Sequence, residues 1–255
     1  MNNYLQEKKW TEAAELIKES CGVAIIPIGS VEQHGPHLPL GTDAYVAITL
    51  AEAAAEKTKV VMTPPLWYSW CPHHMALPGS ISIRAEVLIE LLYDIISSLN
   101  KHGVKKFVLI NGHRIANIPW LQISAEKAQR ELDVKVKIFD PAYMSKSLLP
   151  SLDFGPVGHA DEIESSHMLY RYPELVDMSK AKDNPVKPAE LYSVDPSFMG
   201  DTLCMVPSTE KDMRFAIDAA DGATGSPTKS DAGKGRIYHE HLVNHLVNII
   251  NGLKG

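Results

Sequence analysis

The chain has few cysteines, and they are far apart. Cys21, Cys71 and Cys204 are the only three in 255 residues, and none belongs to a C-x-x-C pair. An odd, sparse set argues against a disulfide-built secreted fold and against a thiolate zinc site, and it predicts reduced thiols in a cytoplasmic protein. Cys21 precedes an apolar run, so we expect it to be a small core residue.

Charge of one sign is not concentrated anywhere. The 25 Lys and Arg against 31 Asp and Glu give a net charge of -6, and the basic residues are scattered, so no nucleic-acid partner is expected. No apolar run is long enough to cross a bilayer, and the polar N-terminal segment is unlike a secretory signal, so no membrane partner is expected either. A G-x-S-x-G elbow, a P-loop and a G-x-G-x-x-G after a strand are also missing, which makes those chemistries the weaker alternatives.

Apolar periodicity predicts strands that alternate with helices. Such alternation favours an α/β fold with a largely parallel sheet covered on both faces. Residues 180–230 are rich in Pro, Asp, Ser and Gly and are expected to form long functional loops. The predicted strands are 22–30, 59–66, 105–112 and 134–140, the last near the sheet edge, and the predicted helices are 10–20, 43–57, 85–103, 117–132, 161–172 and 233–255.

Metal-ligating side chains follow the first predicted strand. In an extended segment Glu32 and His34 point the same way, about 6.6 Å apart, which suits ligands of two neighbouring cations about 3.5–4 Å apart. Asp43, at the head of the next helix, could bridge two cations, or Asp43 or Thr42 could be a plain N-cap. Glu, His and Asp ligands without Cys suit Zn, Mn or Fe in a catalytic site.

The ends of the second and third strands carry further candidates. His113 in VLINGHR is a fourth possible ligand or a hydrogen-bonded structural residue, and Asn111 could position a substrate carbonyl or fix the loop. His73 and His74 are placed near a pocket rim, at least one of them as a structural residue. Because ligands of parallel sheets collect at the carboxyl ends of strands, these side chains are expected to converge on one cleft.

A Gly-rich stretch, GPVGHADEIESSHMLY, supplies a proton-transfer candidate. His159 in its loop is suited to shuttle a proton, and Glu164 could reach a metal or orient His159. Asp161 and Glu162 are most simply complements of the helix dipole. Three histidines of the last helix are expected to face solvent or a partner rather than a metal: His239, His241 and His245.

Five stretches together resemble the creatininase (creatinine amidohydrolase) family. They follow the family's order, span residues 26–235 and so cover nearly the whole chain; the first is long and specific. The stretches are GSVEQHGPHLPLGTD, HMALPGSIS, LINGH, GHADEIESS and GATGSPTKSDAGKG. The resemblance implies one domain over residues 1–255, a three-layer α/β/α sandwich with a mostly parallel sheet, usually in homo-oligomers and often in hexamers.

The resemblance also implies a dinuclear metal centre that hydrolyses carbon–nitrogen bonds, typically in small polar cyclic amides. By position, Glu32 and His113 would serve one metal, His34 the other, Asp43 would bridge them, and His159 would transfer the proton. The side chains expected to contact substrate are Asn111, Arg114, Ser80 and His74.

The chain departs from the family pattern at two places. Creatinine-cleaving members carry a Glu ligand where this chain has Ile115, so the second metal recruits Glu164, is weakly held, or is absent. Those members also stack creatinine on tryptophans, and residues 139–158 contain none, which argues against creatinine as the substrate. Arg114 could bind an anionic or polyhydroxylated substrate. The predicted reaction is hydrolysis of a small polar cyclic amide or a formamide. Ring opening of a diketo-inositol at a carbon–carbon bond and a non-catalytic metal-containing binding or assembly protein remain the alternatives.

Overall fold

A computed structural model describes residues 3–185, 196, 217–218 and 220–255. Within these residues one sheet has four strands: β1 Val23–Ile28, β2 Val61–Met62, β3 Lys106–Asn111 and β4 Lys135–Phe139. Their order is β2-β1-β3-β4, and every neighbouring pair is parallel. This confirms the predicted α/β class. Most of the predicted loop region 180–230 lies outside the described residues.

The second strand is shorter than its sequence predicts. Pro64 and Pro65 have no N–H to donate, so regular pairing stops after Met62. The segment still follows β1, because the backbone N–H of Leu66 donates to the carbonyl of Pro27 at 2.9 Å. β4 lies at the sheet edge as predicted, with Lys135 exposed to solvent.

Helices cover both faces of the sheet. They are α1 Trp10–Glu19, α2 Thr42–Thr58, α3 Ala85–Lys101, α4 Ile118–Leu132, α5 Pro141–Met144, α6 Glu162–Arg171 and α7 Ala232–Lys254. Alternate residues of β1 point to opposite faces, since Val23 and Ile25 pack with α2 and α7, whereas Ala24 and Ile26 pack with α1, α3 and α4. All of β1 is buried, as expected for a strand between two helical layers.

Two predictions about single side chains are wrong. Cys21 is exposed rather than in the core, because it occupies a left-handed turn with φ of 55° between α1 and β1. His239 does not face solvent. α7 packs against α6, and the ring of His239 is buried with Nδ1 2.9 Å from Nε2 of His167.

Candidate metal centre

The candidate site forms where the carboxyl ends of β1 and β3 meet the start of α2. Ile28 and Asn111 are paired neighbours, so the residues that follow them leave the sheet side by side. A Cβ on Gly112 would lie 1.9 Å from the backbone oxygen of Asp43, and a Cβ on Gly29 would lie 2.2 Å from Cα of Ala44. Only glycine permits these close approaches, which bring the first turn of α2 onto both strand ends.

A first cluster joins Glu32, Asp43 and His113. Nδ1 of His113 lies 2.9 Å from Oδ2 of Asp43 and 3.2 Å from Oε1 of Glu32. All three side chains are buried, and one ligand atom from each lies within 4.8 Å of the others. The hydroxyl of Ser30 donates to Oδ2 of Asp43 at 2.8 Å and so fixes that carboxylate. The predicted ligands from three elements therefore do meet.

A second cluster lies on the other side of Asp43. It consists of His34, His159 and Glu164, again with ligand atoms within 4.8 Å of one another. Nε2 of His34 is 3.1 Å from Oδ1 of Asp43 and 3.8 Å from Oε2 of Glu164. Asp43 thus presents one oxygen to each cluster, which is the placement a bridging ligand requires.

The simpler role of Asp43 as a helix cap does not describe the structure. The N-cap residue of α2 is Gly41, and the helix begins at Thr42, so Asp43 lies inside the first turn. Its carboxylate faces His34 and His113 rather than the free backbone N–H groups. Asp161, in contrast, is a cap, because its side chain accepts hydrogen bonds from the N–H groups of Ile163 and Glu164 at the start of α6.

The donor set fits a divalent cation. Both carboxylate oxygens of Glu32 are buried and have no hydrogen bond from the described residues, and Nε2 of His113 has none either. The short distance between Glu32 and His113 therefore lacks hydrogen-bond geometry. Buried carboxylates are costly unless paired or bound to metal. Atoms that converge without bonding one another are the arrangement expected of ligands around an ion.

The carboxylates shift the pKa values of the imidazoles. Burial lowers the pKa of His34, but the charges of Asp43 and Glu164 outweigh it and raise this pKa to about 9. The pKa of His113 is raised for the same reason, by Glu32 and Asp43 against burial. A site that favours positive charge on imidazoles also favours a bound cation, which competes with those protons.

His159 and Glu164 have pKa values shifted mainly by burial. The pKa of His159 is well below its ordinary value because burial and the neighbouring His34 disfavour the imidazolium. Burial raises the pKa of Glu164 to about 7, although Arg114 opposes the shift. His159 is therefore neutral near pH 7 and able to accept a proton. Its loop is held by Thr224, whose carbonyl accepts the backbone N–H of His159 at 2.9 Å.

Arg114 lies inside this charge network. Its guanidinium is buried and lies 2.7 Å from Oε1 of Glu164 and 3.1 Å from Oδ2 of Asp161. Its Nη1 is buried and donates to no acceptor in the described part of the chain. Ile115, at the position of the missing family ligand, packs against the core with φ of 65°, and the second cluster instead contains Glu164.

Of the remaining predicted residues, two form hydrogen bonds that fix loops, and one borders the first cluster. The amide of Asn111 donates to Asp140 at 2.8 Å and its oxygen accepts from Asn117, so this side chain fixes the loop. Ser80 accepts the backbone N–H of Gln33 at 2.9 Å. Nε2 of His74 lies 3.3 Å from Oε1 of Glu32, so His74 borders the first cluster.

Gln33 is the residue that sequence reasoning missed. It stands between Glu32 and His34, and its side chain contacts His74 and the backbone of Gly222. No local signal pointed to these partners, one of them 189 positions away.

Fold and site together define an α/β protein with buried carboxylates and imidazoles set for cations at the carboxyl edge of a parallel sheet. The family model for creatininase, described as creatinine amidohydrolase, matches residues 6–250. The chain belongs to the creatininase family. In the described residues no helix has both the length and the apolar content needed to cross a membrane.

Curated relatives carry several activities. A 3-dehydro-scyllo-inosose hydrolase of Thermotoga maritima is 30% identical over 72% of this chain, and the match spans 61% of that relative's length. A creatinine amidohydrolase of Pseudomonas putida is 29% identical over 76% of this chain and 82% of its own. A mycofactocin precursor peptide peptidase of Mycobacterium ulcerans is 29% identical over 89% and 83%. At the level of the family, these names confirm the predicted class of hydrolase.

Solved structures agree with the fold. A crystal structure of creatinine amidohydrolase superposes with a TM-score of 0.81 at 25% identity, over 98% of this chain and 97% of that one. A creatininase described as the manganese form gives the same TM-score and identity over 99% and 98%. A zinc form of a creatininase mutant, at 24% identity and a TM-score of 0.81, shows the shared fold.

Proposed function

We propose that this protein is a metal-dependent hydrolase that cleaves the carbon–nitrogen bond of a small polar cyclic amide or a formamide. The proposal rests on the environment of the Glu32 carboxylate. Its carboxylate is fully buried, has no hydrogen bond from the described residues, and lies 3.2 Å from an imidazole nitrogen of His113. Such a group is costly to bury unless a cation binds it.

The chain offers ligands for two divalent ions, Zn, Mn or Fe. Glu32, Asp43 and His113 would hold the first, and His34, Asp43 and Glu164 the second. Bound ions of this kind supply an activated water near neutral pH and polarise a carbonyl. Glu164 takes the place left by Ile115, because its Oε2 lies 3.8 Å from Nε2 of His34.

His159 would accept the proton and pass it to the leaving nitrogen. Its Nε2 lies 2.6 Å from the backbone oxygen of Gln33, and its Nδ1 faces Oε1 of Glu32 at 3.7 Å. A carbonyl can only accept, so the ring proton is on Nε2 and the lone pair of Nδ1 points to the cluster. A neutral imidazole in this position suits general base catalysis followed by general acid catalysis.

A second candidate keeps the metals and changes the bond. A keto-inositol could be opened at a carbon–carbon bond, with Nη1 of Arg114, rather than the fully bonded amide of Asn111, near its hydroxyls. The Thermotoga maritima relative, named as an inosose hydrolase, favours it. A non-catalytic metal-containing binding or assembly protein is the third candidate. It does not explain why the lone pair of His159 Nδ1 faces the first cluster.

We also infer the setting in which the protein works. The sparse cysteines support a cytoplasmic location, and the family resemblance supports a single domain over residues 1–255 in a homo-oligomer, a hexamer in particular. The partner is then a small polar cyclic substrate, with neither nucleic acid nor membrane.

The test combines metal content with turnover of a substrate panel. Glu32→Ala and Asp43→Ala should each lose bound metal and hydrolysis of every substrate that the wild type accepts. Glu56→Ala, which changes an exposed carboxylate on the same helix as Asp43, should retain both. Lactams, formamides and keto-inositols in the panel distinguish cleavage of a carbon–nitrogen bond from cleavage of a carbon–carbon bond. Full retention of metal and turnover in Glu32→Ala and Asp43→Ala would defeat the proposal.

A further inference from the structure

The side chain of Gln33 is held in one orientation. Its Oε1 accepts the backbone N–H of Gly35 at 3.0 Å, and its Nε2 donates to the backbone oxygen of Gly222 at 3.1 Å. Exchanging the amide oxygen and nitrogen would set a donor against a donor and an acceptor against an acceptor. The orientation of this amide is therefore fixed by backbone groups that cannot change their roles.

The fixed amide determines which nitrogen of His74 carries the proton. Nε2 of Gln33 also lies 2.9 Å from Nδ1 of His74. Because the amide nitrogen only donates, Nδ1 of His74 must accept and must be unprotonated. The proton of the neutral ring is then on Nε2, the atom that lies 3.3 Å from Oε1 of Glu32. His74 presents an N–H to the cluster.

The backbone of the same residue determines the state of His159. Nε2 of His159 donates to the carbonyl of Gln33 at 2.6 Å, which leaves the lone pair of Nδ1 facing Glu32. The rings of His74 and His159 lie side by side, with centroids 4.1 Å apart. Two adjacent imidazoles thus present opposite hydrogen-bonding groups to one carboxylate.

We infer that Gln33 is a positioning residue that makes His74 a hydrogen-bond donor and His159 a proton acceptor at the two sides of Glu32. The inference rests on the proposed hydrolase function. In that reaction His74 Nε2–H would donate to the oxygen of a substrate carbonyl, while His159 takes the proton. Groups aligned in advance for developing charge are the larger part of such catalysis.

One consequence concerns the metal ligands. Glu32, His74 and His159 form a third group whose ligand atoms lie within 4.8 Å of one another. A nitrogen that carries a proton has no lone pair for a cation, so this third group does not serve as a metal site while Gln33 holds His74. The amide of Gln33 thereby directs cations to the other two clusters.

Nitrogen NMR of the full-length protein tests the inference directly. With 15N-labelled histidine, and resonances assigned through His74→Phe and His159→Phe, both rings should carry their proton on Nε2 in the wild type. Gln33→Met removes the amide donor at similar size. The two ring nitrogens of His74 should then move toward each other in chemical shift, since the amide no longer excludes the Nδ1–H tautomer, while those of His159 keep their values because the backbone carbonyl remains. Gln122→Met, an exposed change on α4, should alter neither ring.

Each alternative result has a stated meaning. A wild-type His74 with its proton on Nδ1 would overturn the inference, and so would unchanged His74 shifts in Gln33→Met. Equal movement of both rings would also overturn it. If Gln33→Met does not fold, the wild-type tautomers and Gln33→Glu decide, since a carboxylate should draw the His74 proton to Nδ1. These spectra need neither turnover nor a known substrate, so a failure here is distinguishable from a failure of the hydrolase proposal.

Discussion

The guanidinium of Arg114 lies 2.7 Å from one carboxylate oxygen of Glu164, whose other oxygen lies 3.8 Å from Nε2 of His34. Glu164 is therefore shared between a permanent cation and the second candidate metal site. Within the described residues, neither Glu32 nor Asp43 has an ion pair with Lys or Arg. Two cations should consequently bind with unequal affinity, the first cluster more tightly.

Arg114→Met should lower the stability of the fold and raise its affinity for the second cation. Removing one partner of a buried ion pair costs about 3–5 kcal/mol, because Asp161 and Glu164 keep uncompensated charge. The released carboxylate of Glu164 should bind the second cation about tenfold more tightly. Calorimetric titration with Zn²⁺ and chemical denaturation measure the two effects. Arg130→Met, which removes an exposed and solvent-screened pair on α4, should leave stability and metal affinity unchanged. Unchanged affinity for the second ion in Arg114→Met would refute the unequal-site argument.

Glu32→Gln should abolish the response of the protein to metal. The substitution removes one carboxylate ligand of the first cluster, and it also removes a charge that raises the pKa of His113. Added Mn²⁺ or Zn²⁺ should raise the melting temperature of the wild type and not that of the variant. Thermal melts with and without the ion are the measurement. A variant whose melting temperature still rises with the ion contradicts the assignment of Glu32 as a ligand.

Two glycine substitutions should change the stability of the fold in opposite directions. Gly112→Ala places a Cβ 1.9 Å from the backbone oxygen of Asp43, so it should cost about 1–3 kcal/mol and weaken metal binding by displacing His113 from Asp43. Gly252→Ala lies within α7 with no atom near the new Cβ, and it should gain about 0.4–1 kcal/mol. Denaturant titration and metal affinity compare the pair. Equal stability and affinity in Gly112→Ala would show that the close approach does not position the site.

Because His239 is buried against His167, the free energy of unfolding should decrease at acidic pH. Burial, with Arg171 adding to it, lowers the pKa of His239 to about 4. The unfolded chain binds this proton near pH 6.5, so stability is lost as the pH falls from about 6.5 toward 4, by about 3 kcal/mol for this group. His239→Gln should flatten the pH dependence of unfolding in that window, whereas the exposed His102→Gln should not. Identical slopes for wild type and His239→Gln would count against the burial argument.

Sequence reasoning recovers what depends on local pattern. The apolar run of β1 and the motif that places Glu32, His34 and Asp43 after it suffice to predict a parallel sheet with ligands at one edge. β2 is shorter than predicted because paired prolines end regular pairing even where the chain still follows its neighbour.

Other features depend on contacts that no local pattern encodes. The burial of His239 depends on the packing of α7 against α6. The role of Gln33 depends on Gly222, far away in the chain. Arg114, predicted from the sequence to bind an anionic or polyhydroxylated substrate, forms ion pairs with Glu164 and Asp161, about 50 positions further along the chain.

The carboxylate of Glu32, which accepts no hydrogen bond from the described residues, has a consequence for the amount of the protein. Because binding of an ion stabilises only the folded chain, a shortage of transition metal should leave a larger unfolded fraction, which chaperones and proteases remove. The abundance of this protein should then follow the supply of its ion, even where transcription is constant.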